Sequence, residues 1–327
     1  MVCKKIKFDG FYNPDGKLNR EAQIILDILE KHYEVEISDT PDYIFSRAGS
    51  KEYYKYDGVR IFCTIEALCP DFNLCDYGIG FEYLTYQDRY LRLPNFYFYE
   101  DAVEKMLHKH EDVNEKDANR EFCSFVYSNN RADKMRGKIF DALMGYKKVD
   151  SGGRYMNNLP DKKAVDDKLE FEGHHKFSVA CENACHPGYH TEKLVEAFAA
   201  KTVPIYWGDP EVEKVFNEKA FINCNQFSSV EEIVERVQYL DTHEAEYLAM
   251  LKEPAMKEEG KLDGLKALED YLLHIFDQPL EKAYRRNRGF WGKQYLNTVR
   301  SEGRVVEKYL KLRQSFPMRL VRKIFRK

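Results

Sequence analysis

Residues 177–208 read FSVACENACHPGYHTEKLVEAFAAKTVPIYWG, and this stretch constrains the fold more than any other. The short apolar run Phe177 to Cys181 suits a buried strand. A polar loop follows, from Glu182-Asn183 to Tyr189-His190, after which the Thr191 hydroxyl is placed to N-cap a helix. That helix carries Leu194, Ala197, Phe198 and Ala200, and Val203 to Trp207 forms a second buried strand that Gly208 stops. Strand, loop, helix and strand in this order belong to a parallel α/β sheet, with free N–H groups at the helix start beside any ligand. Glu192 in the first turn suits the helix dipole, whereas Lys193 beside it does not. A lysine there makes sense if an anion such as a diphosphate sits at that helix end.

The pattern resembles the donor-binding signature of bacterial α1,3-fucosyltransferases, glycosyltransferase family 10. That signature reads roughly FxxxFEN, a short loop, Y-x-TEK, a helix, then VP, two hydrophobic residues and G. Glu182-Asn183, Tyr189, Thr191-Glu192-Lys193, Val203-Pro204 and Gly208 fill its fixed positions. Ala180-Cys181 departs from it where an aromatic commonly precedes Glu-Asn. The resemblance runs from Pro41 to near residue 250 and implies an α/β fold of glycosyltransferase B type, two Rossmann-like domains facing a cleft. It further implies inverting transfer of L-fucose from GDP-β-L-fucose to N-acetylglucosamine in a β-galactoside-containing glycan of N-acetyllactosamine type, giving an α1,3-linked, Lewis-type product. No cofactor beyond the GDP-fucose donor is expected.

Length and composition agree with two domains. The chain has 327 residues, a formal charge of −4 and no bulk basicity of the kind that nucleic-acid binding favours. Its eight cysteines include no C-x-x-C pair, which argues against a zinc site, and several sit in apolar runs as reduced core thiols do. Strands are expected at Lys5 to Phe8 and around residues 35–37, 43–45 and 59–64, with a helix over 20–33. Residues 108–120, HKHEDVNEKDANR, are charged and poor in apolar side chains, as a linker would be. The expected division is an acceptor-binding domain at 1–115, a donor-binding domain at 116–300 and a basic tail at 301–327.

No Asp-x-Asp pair and no G-x-x-x-x-G-K-[ST] loop occurs. A transferase without such a metal motif must meet the departing diphosphate with fixed cations. Lys193 is one candidate. Arg136 is the other, since the family places an arginine on the helix that follows an S-N strand end, here Ser128-Asn129. Arg131 is a rival by proximity, but the run R-x-x-[IF]-[FY]-D-A-L favours Arg136, whose guanidinium could match two phosphate oxygens. The resemblance also makes Asn183 and Tyr189 contacts to the donor, and gives Glu182 a hydroxyl or the nucleobase.

Transfer needs a base on the acceptor side. Ile61 to Ala67 runs off a buried strand into a loop bearing Glu66, and resembles the family stretch F-x-x-G-E-N whose glutamate is the proposed base. Ile65 and Ala67 replace its glycine and asparagine. Glu192 either stabilises oxocarbenium character at the sugar, as the resemblance implies, or only complements its helix dipole.

From Arg313 to Lys327 every charge is positive and apolar residues are interspersed. Such a tail fits an anionic membrane surface. With no signal-peptide run at the N-terminus, the expected location is cytoplasmic, peripheral at the inner face of the membrane. The competing readings are the same fold with another nucleotide sugar, and a non-catalytic membrane-peripheral protein that binds nucleotide or glycan.

Overall fold

The computed structural model describes residues 3–50, 52–260 and 262–314, and the tail from residue 315 onward lies outside the described residues. The first half contains β1 (Cys3–Asp9), α1 (Arg20–His32), β2 (Glu34–Ile37), β3 (Tyr43–Ser46), β4 (Val59–Cys63), β5 (Tyr77–Gly80), β6 (Tyr90–Arg92) and α2 (Glu100–His108). Its six strands form one parallel sheet in the order β2-β1-β3-β4-β5-β6. The helix α1 starts where the Asn19 side chain accepts from the Ala22 N–H, and buries Ala22, Ile25, Ile28 and Leu29, the face its sequence period predicts.

The second half contains β7 (Glu121–Phe125), α3 (Met135–Tyr146), β8 (Val149–Ser151), α4 (Lys168–Gly173), β9 (His175–Cys181), α5 (Glu192–Ala199), β10 (Val203–Trp207) and β11 (Ile222–Asn223), then α6 (Val230–Thr242) and α7 (Glu244–Lys252). Its five strands are also all parallel, ordered β11-β10-β9-β7-β8. Every residue of β9 and β10 is buried, as continuous apolar strands between helical layers must be. Two parallel sheets, each with helical crossovers, give the paired Rossmann-like architecture expected of the chain.

Two expectations change. The charged segment 108–120 is largely exposed, as a linker would be, but it is not free of the protein. Lys109 is buried and its ammonium donates to the Leu251 carbonyl at 2.7 Å, while Asn114 and Asp117 form a reciprocal capping box. Lys109 thus ties the segment to α7, while Asn114 and Asp117 satisfy each other.

The second change concerns α8 (Gly264–Phe276), α9 (Leu280–Ala283) and α10 (Phe290–Gln314). The segment from α8 through Arg286, allotted to the donor half, returns to the first sheet. Phe276 stacks on Tyr43 of β3 with ring centroids 4.1 Å apart, and the backbone N–H groups of Arg285 and Arg286 both donate to Asp76. An amphipathic pattern shows that α8 covers a sheet, but both sheets present the same kind of apolar face to it. No described helix is long and apolar enough to cross a membrane.

Candidate active site

The carboxyl ends of the two sheets meet. Residues after β4, β5 and β6 touch the loop between β9 and α5. Tyr189 donates its phenol to Glu66 Oε2 at 3.5 Å, His186 pairs with Glu82 at 2.9 Å, and Asn95 donates to Glu192 Oε2 at 3.2 Å. Ligands of open parallel sheets bind at strand carboxyl ends, where loops and helix N-termini converge.

The loop is held in place by short-range geometry. Gly188 adopts φ +79°, a left-handed backbone, and a Cβ there would lie 2.8 Å from the Phe81 carbonyl of the first half. Its N–H donates to Asp209 Oδ1 at 2.8 Å, and Asp209 Oδ2 lies 2.9 Å from His190 Nδ1 with both side chains fully buried. Burial lowers the His190 pKa, against the pull of Asp209, which favours the neutral imidazole. The carboxylate only accepts, which puts the ring proton on Nδ1 and leaves Nε2 without a protein partner.

Glu182 sits under the start of α5. Its carboxylate is fully buried and accepts from the Thr191 N–H and the Thr191 hydroxyl, each at 2.6 Å, and from Lys193 at 3.3 Å. This corrects two expectations. Thr191 occupies the N-cap position, but its hydroxyl donates to Glu182 instead of accepting from the helix backbone. Glu182 therefore caps α5 from below and presents no surface to a hydroxyl or nucleobase. Gly208 makes room for it, since a Cβ at that position would lie 2.4 Å from Glu182 Cγ.

Lys193 is not a bare cation either. It reaches Thr191 Oγ1 at 2.9 Å, Glu192 Oε1 at 3.1 Å and Glu182 Oε2 at 3.3 Å. Two carboxylates of the protein itself therefore stand beside this first-turn lysine. Burial disfavours its charge, yet Glu182 and Glu192 hold its pKa above the usual lysine range. Burial likewise acts to raise the Glu192 carboxyl, but Lys193 and Lys168 outweigh it and bring its pKa down to about 2. Glu192 is thus a fixed negative charge at the cleft, steadied by Asn95 from the opposite half.

Arg136 projects from α3 and is buried, with its guanidinium 4.0 Å above the centre of the Tyr127 ring. Nη1 donates to the Asn129 carbonyl at 3.2 Å, and Nη2 to the Cys181 carbonyl at 3.0 Å and to Asn183 Oδ1 at 2.9 Å. Three of the five guanidinium donors are thus taken by the protein, while the buried Nε has no partner among the described residues. Ser128 and Asn129 are exposed in the loop after β7, and the Asn129 side chain accepts from the Arg131 N–H. Arg131 itself bears no contact to the Glu182–Lys193 cluster among the described bonds.

Glu66 is exposed, in a tight turn where the Thr64 hydroxyl accepts its N–H at 3.1 Å and bonds its carbonyl at 3.1 Å. The sequence singled out Glu66, Tyr189, Glu192 and Lys193, and the fold brings all four together. It missed Asn95, His190 and Asp209. Asn95 belongs to no motif, and the His190–Asp209 pair shows only once the loop folds back beside β10.

Comparison with known proteins agrees with this architecture. Residues 6–99 match the model "Alpha-(1,3)-fucosyltransferase FucT N-terminal domain", and residues 115–252 match "Glycosyltransferase family 10 (fucosyltransferase) C-term". The chain is 33% identical over 304 residues to the alpha-(1,3)-fucosyltransferase FucT of Helicobacter pylori, a match spanning 80% of this chain and 61% of that protein. It is 32% identical over 138 residues to the human 3-galactosyl-N-acetylglucosaminide 4-alpha-L-fucosyltransferase FUT3, covering 41% of this chain and 37% of that one. It thus spans less than two thirds of either relative. A crystal structure of an α1,3-fucosyltransferase with GDP-fucose superposes with a TM-score of 0.73 at 28% identity, over 88% of this chain and 94% of the other. The two family models, the sequence match and the shared two-sheet fold agree: the chain belongs to glycosyltransferase family 10.

Proposed function

We propose that the chain transfers L-fucose from GDP-β-L-fucose to the 3-hydroxyl of N-acetylglucosamine in an N-acetyllactosamine-type glycan, with inversion to the α-linkage. The observation that carries this reading is the meeting of Glu66, from the first half, with Tyr189, Glu192 and Lys193 of the second. Glu66 takes the proton of the attacking hydroxyl. Glu192, anionic over the working pH range, offsets positive charge on the fucose ring as the anomeric bond to diphosphate breaks. Lys193 and the start of α5 receive the departing diphosphate, and donor binding draws Asn183 off Arg136 to open a second cation to it. Relatives named as fucosyltransferases, and the likeness to a structure with GDP-fucose, support this donor. The basic tail holds the enzyme at an anionic membrane surface near a lipid-linked acceptor, on the cytoplasmic side.

The test is turnover of a panel of nucleotide sugars against N-acetyllactosamine and Lewis-precursor acceptors, with the product linkage read by NMR. The expected result is an α1,3-fucosylated product from GDP-fucose. Selective use of another nucleotide sugar would leave only the fold-level reading, and binding without turnover would make the chain a non-catalytic receptor.

A further inference from the structure

A cavity of about 290 Å³ opens at the end of the first sheet away from the cleft, lined by Asp57, Arg60, Asn73, Arg286, Arg288 and Lys293. Arg60 is the second residue of β4, whereas Glu66 lies beyond that strand's other end, so the cavity and the cleft are at opposite poles of one sheet. We propose that this cavity binds a phosphate-bearing anion, separately from any donor in the cleft.

Charge comes first. Four cations line the cavity against two carboxylates, Asp57 and Asp76, that pair with Arg286 and Arg288. The surplus rests on Arg60 and Lys293. Lys293 is exposed and has no ion-pair partner among the described residues. Arg60 is only 1% exposed, and among the described residues its guanidinium forms no ion pair, with Asp76, shared with Arg286, the carboxylate that acts on it. Nη1 donates to the Leu74 carbonyl at 3.1 Å, Nη2 to the carbonyls of Tyr56 at 2.9 Å and Tyr54 at 3.4 Å, and Nε has no partner. Burial and then the like charge of Arg286 bring its pKa down to about 10, the mark of a guanidinium short of negative charge. A buried cation without a counter-ion is costly, and a bound anion removes that cost.

Helix geometry adds to this. The 25-residue α10 begins at the cavity, with Gly292 and Lys293 in its lining and no acidic residue in its first turn. Its unbonded first-turn N–H groups and dipole therefore act with the arginines on an anion. Guanidinium forks and helix N-termini together suit phosphate oxygens better than a lone carboxylate. At the start of α10, Phe290 and Trp291 are 74% and 71% exposed. Aromatic side chains flanking a phosphate site fit a lipid headgroup, while a free phosphate compound presents the same oxygens.

The full chain with GDP added is titrated in two arms, one with inorganic pyrophosphate and one with phosphatidylcholine vesicles with or without phosphatidylglycerol. Arg288→Ala/Lys293→Ala is compared with Lys219→Ala/Lys252→Ala, which removes the same charge from exposed sites elsewhere. The expected result is binding at least about tenfold weaker for the first variant in one or both arms, and unchanged for the second. A loss confined to pyrophosphate identifies a soluble ligand, and one confined to phosphatidylglycerol vesicles a headgroup. Equal binding by wild type and both variants in both arms overturns the proposal. Because the comparison is between variants, failure of GDP to occupy the cleft does not change its meaning.

Discussion

Tyr189 and Glu66 lie on different halves of the molecule, and the phenol of one donates to the carboxylate of the other at 3.5 Å. Burial, then the charges of Glu182, Glu66 and Glu192, raise the Tyr189 pKa, so the phenol stays protonated and donates. Tyr189→Phe removes this bond between the halves and should lower kcat/KM. Glu66→Gln should lower turnover by about 10²–10⁴-fold with GDP-fucose affinity nearly unchanged. Calorimetry and steady-state kinetics check both, and near-normal turnover of Glu66→Gln removes it as the base.

The cations make different predictions because their surroundings differ. Lys193→Ala leaves Glu182 and Glu192 unneutralised beside each other, so GDP binding should weaken and turnover fall together. Arg136→Ala also removes three bonds, to Asn129, to Cys181 at the end of β9 and to Asn183, so it should lower the melting temperature as well as donor affinity. Activity should survive EDTA if these cations meet the leaving group. Loss on chelation that Mn²⁺ restores would assign that work to a metal.

Sequence period was enough for β9, α5 and β10, because two buried strands around an amphipathic helix leave few other solutions. It also brought out the polar residues that the loop presents. Direction of bonding was not legible. Whether Thr191 accepts or donates depends on Glu182 lying beneath it, which only the backbone turn decides. Nor was partnership across the halves: α8 covers the first sheet and Lys109 anchors to Leu251, both contacts over long sequence separations that local pattern does not encode.

Gly208→Ala tests the support beneath α5. Its Cβ would meet Glu182 Cγ at 2.4 Å and the Tyr206 hydroxyl at 2.9 Å, both in fully buried side chains. The substitution should cost about 1–3 kcal/mol of stability and weaken donor binding by displacing Glu182 from Thr191 and Lys193. Gly145→Ala, in α3 with nothing within 4 Å, should instead stabilise by about 0.5–1 kcal/mol. Denaturant melts of both variants, with GDP titration, decide the matter.

Lys109 predicts a pH dependence of stability. Burial lowers its pKa to about 7 in the folded protein, against 10.5 when exposed, with Glu253 opposing only in part. Between those values the unfolded chain holds a proton that the folded one lacks, so stability rises with pH, by at most roughly 1.4 kcal/mol per unit. Below about pH 7 both states are protonated and this contribution is flat. Lys109→Met should flatten the slope of unfolding free energy between pH 7 and 10. An unchanged slope would show that the ammonium stays charged against the Leu251 carbonyl and the Phe198 ring.

The basic tail makes a prediction that chemistry in the cleft does not share. Every Glu182–Lys193 cluster residue precedes residue 210, so removing residues 313–327 should leave turnover on a small acceptor in solution largely intact. Sedimentation with anionic vesicles should fall, and the part of it that depends on the tail should weaken with salt, since screening acts over about 8 Å at physiological ionic strength. On a lipid-linked acceptor the truncated chain should be slower, because it no longer concentrates at the surface where that substrate lies. Equal vesicle binding with and without the tail would mean that its positive charges serve the protein's own packing.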